Sequence, residues 1–207
     1  GICRISPHNG WREVPFSRLL EDELNCIVHL DNNVNTLTLV EQLYGVGQQV
    51  QNFLVVTVGH GIGLGIVANG QVVRGASGGA GEFGHIVVDP NGFVCKCGNR
   101  GCLETFVADA WLVRRAQMQG LDVGSAEALT ALAEQGNELA RGVFAQAGET
   151  FGRSVANLVN LFNPSLVVIS GEGVRAGDLL FEPMRAAMQR HLFAQLAEDL
   201  EICVEPL

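Results

Sequence analysis

One short run constrains this chain more than any other: His85, then Cys95-Lys96-Cys97-Gly98-Asn99-Arg100-Gly101-Cys102-Leu103-Glu104. Thiolate and imidazole are the donors a tetrahedral zinc ion prefers. The Cys-x-Cys-Gly-x-x-Gly-Cys spacing lets one loop wrap one ion, with glycines taking the tight turns. The pattern predicts a structural zinc held by His85, Cys95, Cys97 and Cys102. Four protein ligands close the tetrahedron and leave no open position for water, which argues against a catalytic metal.

The competing reading is disulfides, since the chain has six cysteines. Only three fall in the cluster. Cys3, Cys26 and Cys203 stand singly in apolar surroundings, as reduced, buried cysteines do. The sequence shows no signal-like N-terminus and no apolar run long enough for a membrane helix. Together these predict a reducing, cytoplasmic setting.

The chain has 207 residues and is 47% hydrophobic, enough for a substantial core in one domain or two small lobes. Its formal charge of −9 lacks the basic footprint of a nucleic-acid-binding surface. No low-complexity tract or short-period repeat is present.

Periodicity predicts helices over 14–24, 35–44, 103–118, 126–134, 137–162 and 179–196. Leu39, Val40, Leu43 and Tyr44 form the expected buried side of the second. Phe144, Ala147, Phe151, Val155, Leu158 and Phe162 form one apolar stripe along the long helix. Strands are expected over 26–30, 53–58, 62–68, 72–73, 85–88, 166–170 and 202–204, with Asn69-Gly70 making a hairpin turn. Gly148 and Gly152, one turn apart, predict close helix packing or a dimer contact. His8, His29 and His191 read as surface or packing residues. The order is strand-rich, then helix-rich, then strand–Gly turn–helix–strand, an α/β architecture. The chain opens at what reads as the end of one strand and stops soon after another begins, as a piece of a larger protein would.

Several blocks, in order, resemble the ROK family of sugar-metabolism repressors and kinases. Gly59-His60-Gly61-Ile62-Gly63 looks like its second phosphate motif. Gly81-Glu82-Phe83-Gly84-His85 looks like its Glu-x-Gly-His signature, and Cys95 to Glu104 looks like its zinc loop. Asn160 to Pro164, and the strand leading into Gly171-Glu172-Gly173, look like its C-terminal lobe. The resemblance implies a hexokinase/actin-like (ribonuclease H-like) two-lobe α/β fold, present here in part. Residues 1–34 would be a remnant of the N-terminal lobe. Residues 35–207 would be the C-terminal lobe, with the zinc loop at 85–102. The family's N-terminal Asp-x-Gly-x-Thr loop and its regulators' helix-turn-helix find no counterpart in this sequence.

The resemblance also implies a sugar site made of Asn32, Asn33, Glu82, His85 and Glu104. Carboxylates and side-chain amides bind adjacent hydroxyls through strong hydrogen bonds. His85 would ligate zinc through one nitrogen and face a hydroxyl with the other. The plainer expectation for Glu82 and Glu104 is capping, or pairing with Lys96 or Arg100. Gly59, His60, Gly61, Gly63, Gly171 and Gly173 would be remnants of the nucleotide motifs.

Three positions depart from the family's kinases. Asn33 stands where they carry the catalytic Asp, and an amide has no useful basicity near neutral pH. Losing a general base costs about 10²–10⁴ in rate. His60 replaces the usual Thr, and Glu172 replaces a Gly, adding negative charge where ATP would lie. These features imply the sugar-sensing effector and oligomerisation domain of a transcriptional regulator, without kinase activity. Such a protein would be a homodimer or homotetramer and would bind DNA through a region absent from this sequence. The alternative is a sugar kinase using ATP and Mg²⁺.

Overall fold

The computed structural model describes residues 1–6 and 10–205. His8 lies outside the described residues. The centre is a five-stranded sheet of order β5-β4-β3-β6-β7. Its strands are β3 (Phe53–Val58), β4 (Ile62–Ala68), β5 (Gln71–Val72), β6 (Leu166–Ser170) and β7 (Glu201–Val204). β3, β4 and β5 form an antiparallel meander, while β6 runs parallel to β3 and β7 parallel to β6. A separate antiparallel pair, β1 (Cys3–Ser6) and β2 (Trp11–Val14), precedes α1 (Phe16–Leu24). Asn69 and Gly70 both take positive φ in the β4–β5 turn, as the Asn-Gly signal predicts.

Both faces of the sheet are covered. Leu54, Val56 and Val58 of β3 join Val167 and Ile169 of β6 on the larger core face, under the helices. Phe53 and Val55 join Leu166 and Val168 on the other face. This explains why β3 and β6 read as continuous apolar runs rather than alternating ones. The second face is covered by α2 (Asn33–Leu43).

The buried side of α2 is not the expected one. Val34, Asn35 and Thr38 are buried, while Val40, Leu43 and Tyr44 are exposed. Close approach decides this. A Cβ at Gly63 would lie 2.5 Å from Val34 Cγ2, and one at Gly65 would overlap Thr38 Oγ1. The helix therefore seats its small and β-branched side chains on the glycines of β4. Thr38 satisfies its hydroxyl on the Val34 carbonyl at 2.7 Å.

On the larger face lie α3 (Glu104–Val107), α4 (Asp109–Met118), α5 (Ala126–Glu134), α6 (Glu138–Phe162) and α7 (Asp178–His191). The α6 stripe is buried as expected, except for Phe162 at its exposed end. Gly148 and Gly152 settle between their two readings as packing residues within the chain. A Cβ on Gly152 would run into the Met184 carbonyl of α7.

The single helix expected over 103–118 is broken. Ala108 is extended (ψ 147), and the Asp109 N–H donates to the Gly59 carbonyl at 2.9 Å. That bond ties the start of α4 to the glycine turn after β3. The strand expected over 26–30 is irregular. Ile27 there is exposed, and the Val28 N–H is taken by Glu21 Oε1 at 3.1 Å. Cys26 is exposed and Cys3 and Cys203 are half-buried, so these three are less enclosed than expected. The run 85–88 forms a 3-10 turn and a single bridge, Val87 to Cys102, rather than a strand. The last helix ends at His191, which is exposed, and a short 3-10 turn follows.

Candidate functional site

A cleft of about 460 Å³ opens where β3 and β6 end and α2 begins. Such a position, beyond the carboxyl ends of parallel strands, is where open α/β sheets hold ligands. Asn32, Asn33, Glu82, Glu104, His60, Gly61, Gly63, Gly171 and Glu172 all line it. Gly59, Gly173 and His85 are not part of the lining.

The head of α2 supplies the first wall. Asn32 is its N-cap, and its Oδ1 accepts from the Val34 N–H at 2.8 Å. This leaves the Asn32 amide nitrogen, together with the exposed Asn33, to meet a ligand. Asp31, which the sequence reading did not single out, fixes this head in place. Its Oδ1 accepts from Asn35 Nδ2 at 2.9 Å, and its Oδ2 from Arg74 Nε at 2.8 Å. Burial raises the Asp31 carboxyl, but these bonds outweigh it and hold the group below the usual carboxylate range. The i, i+4 spacing of Asp31 and Asn35 across a helix start was the available signal.

The second wall is the glycine-rich loop ending at Glu82. Gly81 lies so close to the Leu64 carbonyl, at φ +89, that only glycine fits. Glu82 is mostly exposed, with Oε2 3.8 Å from His85 Nε2. His85 turns its other nitrogen, Nδ1, to within 3.6 Å of Cys95 Sγ. It therefore sits behind Glu82 and faces the cysteines.

Glu104, the first residue of α3, has a side chain only 7% exposed. Its Oε1 lies 3.1 Å from Lys96 Nζ, so the pairing expectation for this carboxylate is realised. Its Oε2 still faces the cleft beside Gly61, where a Cβ would be 3.2 Å away. Lys96, between two of the cysteines, thus joins the Cys loop to the cleft.

The donor atoms of His85, Cys95, Cys97 and Cys102 all lie within 4.8 Å of one another. Cys97 and Cys102 sulfurs are 3.6 Å apart. A tetrahedron with metal–sulfur bonds of about 2.3 Å has edges of about 3.8 Å, so the four residues fit a metal ion. The loop is preset by its own backbone: Cys95 N–H to Asn99 O at 2.7 Å and Gly101 N–H to Phe93 O at 2.8 Å. As a free thiol Cys102 is pushed up to about 12, first by burial and then by its neighbouring thiols. The Asn99 backbone holds Cys97 lower. A cation bound there would offset the repulsion that three thiolates would otherwise suffer. Phe93 stacks on Trp111 with centroids 5.4 Å apart, and Arg115 lies 4.2 Å over Phe106, pinning the loop to α3 and α4.

The far end of the cleft is closed by a pair. His60 Nδ1 and Glu172 Oε1 are 3.4 Å apart. The Glu172 carboxyl is held below its usual range, chiefly by its own backbone N–H and further by His60. Arg175 braces the same turn. It donates to the Glu172 carbonyl and to Asp109 Oδ2, both at 2.5 Å, and its Nε approaches Glu127 Oε1 at 3.2 Å without hydrogen-bond alignment.

The model of the ROK family matches residues 2–206. A glucokinase from Thermotoga maritima is 34% identical over 223 residues, covering 100% of this chain and 70% of the relative. A putative xylose repressor from Caldicellulosiruptor sp. is also 34% identical over 223 residues, covering 100% of this chain but 55% of the relative. The crystal structure of a ROK family transcriptional regulator, a homolog of the E. coli MLC protein, superposes with a TM-score of 0.89 at 29% identity, covering 99% of this chain and 54% of that one. The α/β hexokinase-like fold is thereby established. The chain spans about half the length of its regulator relatives and somewhat more of the kinase. Among the described residues, no helix is long and apolar enough to cross a membrane.

Proposed function

The chain belongs to the ROK family, and we propose that it is the sugar-sensing effector and oligomerisation part of a transcriptional regulator of carbohydrate metabolism. In this reading residues 1–34 belong to the N-terminal lobe and residues 35–207 to the C-terminal lobe. The DNA-reading helices lie elsewhere in the protein, which works in the cytoplasm as a homodimer or homotetramer. Sugar bound between the lobes biases a two-state closure that moves those helices.

One observation carries the reading: Asn33, Glu82 and Glu104 converge on one cleft whose far end is spanned by the His60–Glu172 pair. Glu104 Oε2, Glu82 and the Asn33 amide offer acceptors and donors to adjacent hydroxyls. The Asn33 amide holds a hydroxyl without removing its proton, so binding proceeds and phosphoryl transfer does not. His85, Cys95, Cys97 and Cys102 hold a structural zinc, which closes the loop and so sets Lys96 against Glu104. Calorimetric titration of the complete protein with glucose and xylose tests this. Binding lost by about tenfold or more in Glu104→Gln and Glu82→Gln supports the reading, and no binding of any sugar removes its main support.

The kinase alternative keeps one specific support, the glucokinase relative at the same 34% identity. Under it the complete protein uses ATP and Mg²⁺, and Asn33→Asp raises turnover by about 10²-fold or more.

A further inference from the structure

The Cys loop holds a reactive arrangement as well as a ligand set. Cys97 is exposed, whereas Cys95 and Cys102 are buried. Cys97 Sγ lies 3.6 Å from Cys102 Sγ. Cys95 Sγ instead lies 3.6 Å from His85 Nδ1. The solvent-facing thiol therefore has a buried thiol directly behind it. A disulfide needs about 2.05 Å between sulfurs, so from 3.6 Å the two must close by about 1.5 Å. The place to yield is Gly98, at φ +95, where even a Cβ would meet nothing within 4 Å. The frame on either side is fixed by Cys95 N–H donating to Asn99 O at 2.7 Å and Gly101 N–H to Phe93 O at 2.8 Å. Lys96, next to Cys97, lies 3.1 Å from Glu104. The turn that would close is thus the one that touches the cleft.

We infer that Cys97 and Cys102 are a reactive thiol pair that a hydroperoxide converts to a disulfide. Solvent access at one sulfur and a resolving thiol beside it are what such a pair requires. Cys97 sulfur attacks the terminal peroxide oxygen and the O–O bond breaks. Cys97 becomes a sulfenic acid, and the other oxygen leaves with the thiol proton as water or an alcohol. Cys102 sulfur then attacks the Cys97 sulfur. The S–O bond breaks, and the hydroxyl leaves with the second thiol proton as water. The two sulfurs lose two electrons in all, and the peroxide gains them. Bridged sulfurs are no longer thiolates, so an ion held by the loop would keep only His85 and Cys95 and would be released. In a reducing compartment the bridge is transient, because small thiols reopen it. Cys26 is the internal comparison, since it is also exposed but stands outside the cluster.

The test treats the complete, reduced protein with hydrogen peroxide, blocks the remaining thiols by alkylation and maps every cysteine by peptide mass spectrometry. A chromogenic chelator follows zinc set free. The expected result is a Cys97–Cys102 bridge that forms about tenfold faster than Cys26 is oxidised, reverses with dithiothreitol and releases zinc as it forms. In Cys102→Ser, Cys97 should stop at the sulfenic acid, which dimedone traps. No bridge, a bridge from Cys97 to Cys95, or oxidation at Cys97 no faster than at Cys26 overturns the inference, as does zinc still held once the bridge has formed. All of these are read on the parent protein, so the test stands even if Cys102→Ser fails to fold. None depends on what the cleft binds, so failure here leaves the sugar-cleft reading intact.

Discussion

His60 Nδ1 lies 3.4 Å from Glu172 Oε1, and this contact joins the turn after β3 to the turn after β6. Both residues replace the Thr and Gly that the family resemblance leads one to expect in kinases. The two departures are therefore one feature, a pair set across the end of the cleft. Both side chains are exposed, so the pair adds little stability. Its effect is on what can enter. His60→Thr combined with Glu172→Gly removes the side chains and one negative charge. Affinity for Mg·ATP, measured by equilibrium dialysis, is expected to rise by about tenfold or more. Unchanged affinity would show that the pair does not oppose nucleotide.

Asp31 makes stability depend on pH. Its folded carboxyl is held below the unfolded value by Asn35 and Arg74 in spite of burial. A depressed carboxylate contributes stability that is complete above the unfolded pKa, about 3.9. That contribution is lost as pH falls through the depressed folded value. Asp31→Asn is expected to cost about 1 kcal/mol at pH 7, after discounting for partial exposure. Urea unfolding should show the gap between variant and parent at pH 7 and its progressive narrowing as pH falls below the unfolded value of about 3.9. A gap that does not narrow contradicts the assignment.

For the metal loop, one zinc per chain is expected by elemental analysis. Chelation or Cys97→Ser should raise amide hydrogen exchange across 85–104 and leave α6 and α7 protected. A bound ion would add its ligand bonds to the backbone bonds that already shape the loop, whereas α6 and α7 are packed through Gly148 and Gly152. Loss of about 3 kcal/mol would lower the melting temperature by about 6–12 °C. Protein purified without any metal, with the loop equally protected, contradicts the site.

Two glycines in one helix should respond with opposite signs. A Cβ at Gly152 meets the Met184 carbonyl, whereas one at Gly142 meets nothing within 4 Å. Gly152→Ala forces α6 away from α7 and is expected to destabilise by about 1–3 kcal/mol. Gly142→Ala lies on the exposed face of α6 and is expected to stabilise by about 0.5–1 kcal/mol. Thermal unfolding of the two variants checks both signs.

Much of this was readable in the residues. The Cys loop, the Asn-Gly hairpin and the α6 stripe each carry a local signal that tertiary context does not override. The α2 face was not readable, because periodicity ranks Leu43 and Tyr44 above Thr38. What decides burial there is the close approach of Thr38 to Gly65, a long-range fact. The break at Ala108 likewise depends on a bond to Gly59, 50 positions away. In the site, the family resemblance pointed to Glu82 and Glu104, which line the cleft, and residue type and spacing pointed to the His85, Cys95, Cys97 and Cys102 cluster. Lys96 was among the partners expected for Glu104, and the fold realises that pair, whereas Asp31 and Arg74, which fix the head of α2, are ordinary surface charges until the fold brings them together.

The central claim is a cleft that binds sugar without phosphorylating it. The most direct test incubates the complete protein with Mg·ATP and a sugar already shown to bind, and follows formation of the sugar phosphate. The account predicts saturable binding with turnover about 10²–10⁴ below that of a working kinase, because Asn33 cannot accept the hydroxyl proton. Turnover of about 1–100 s⁻¹, the ordinary kinase range, would contradict it.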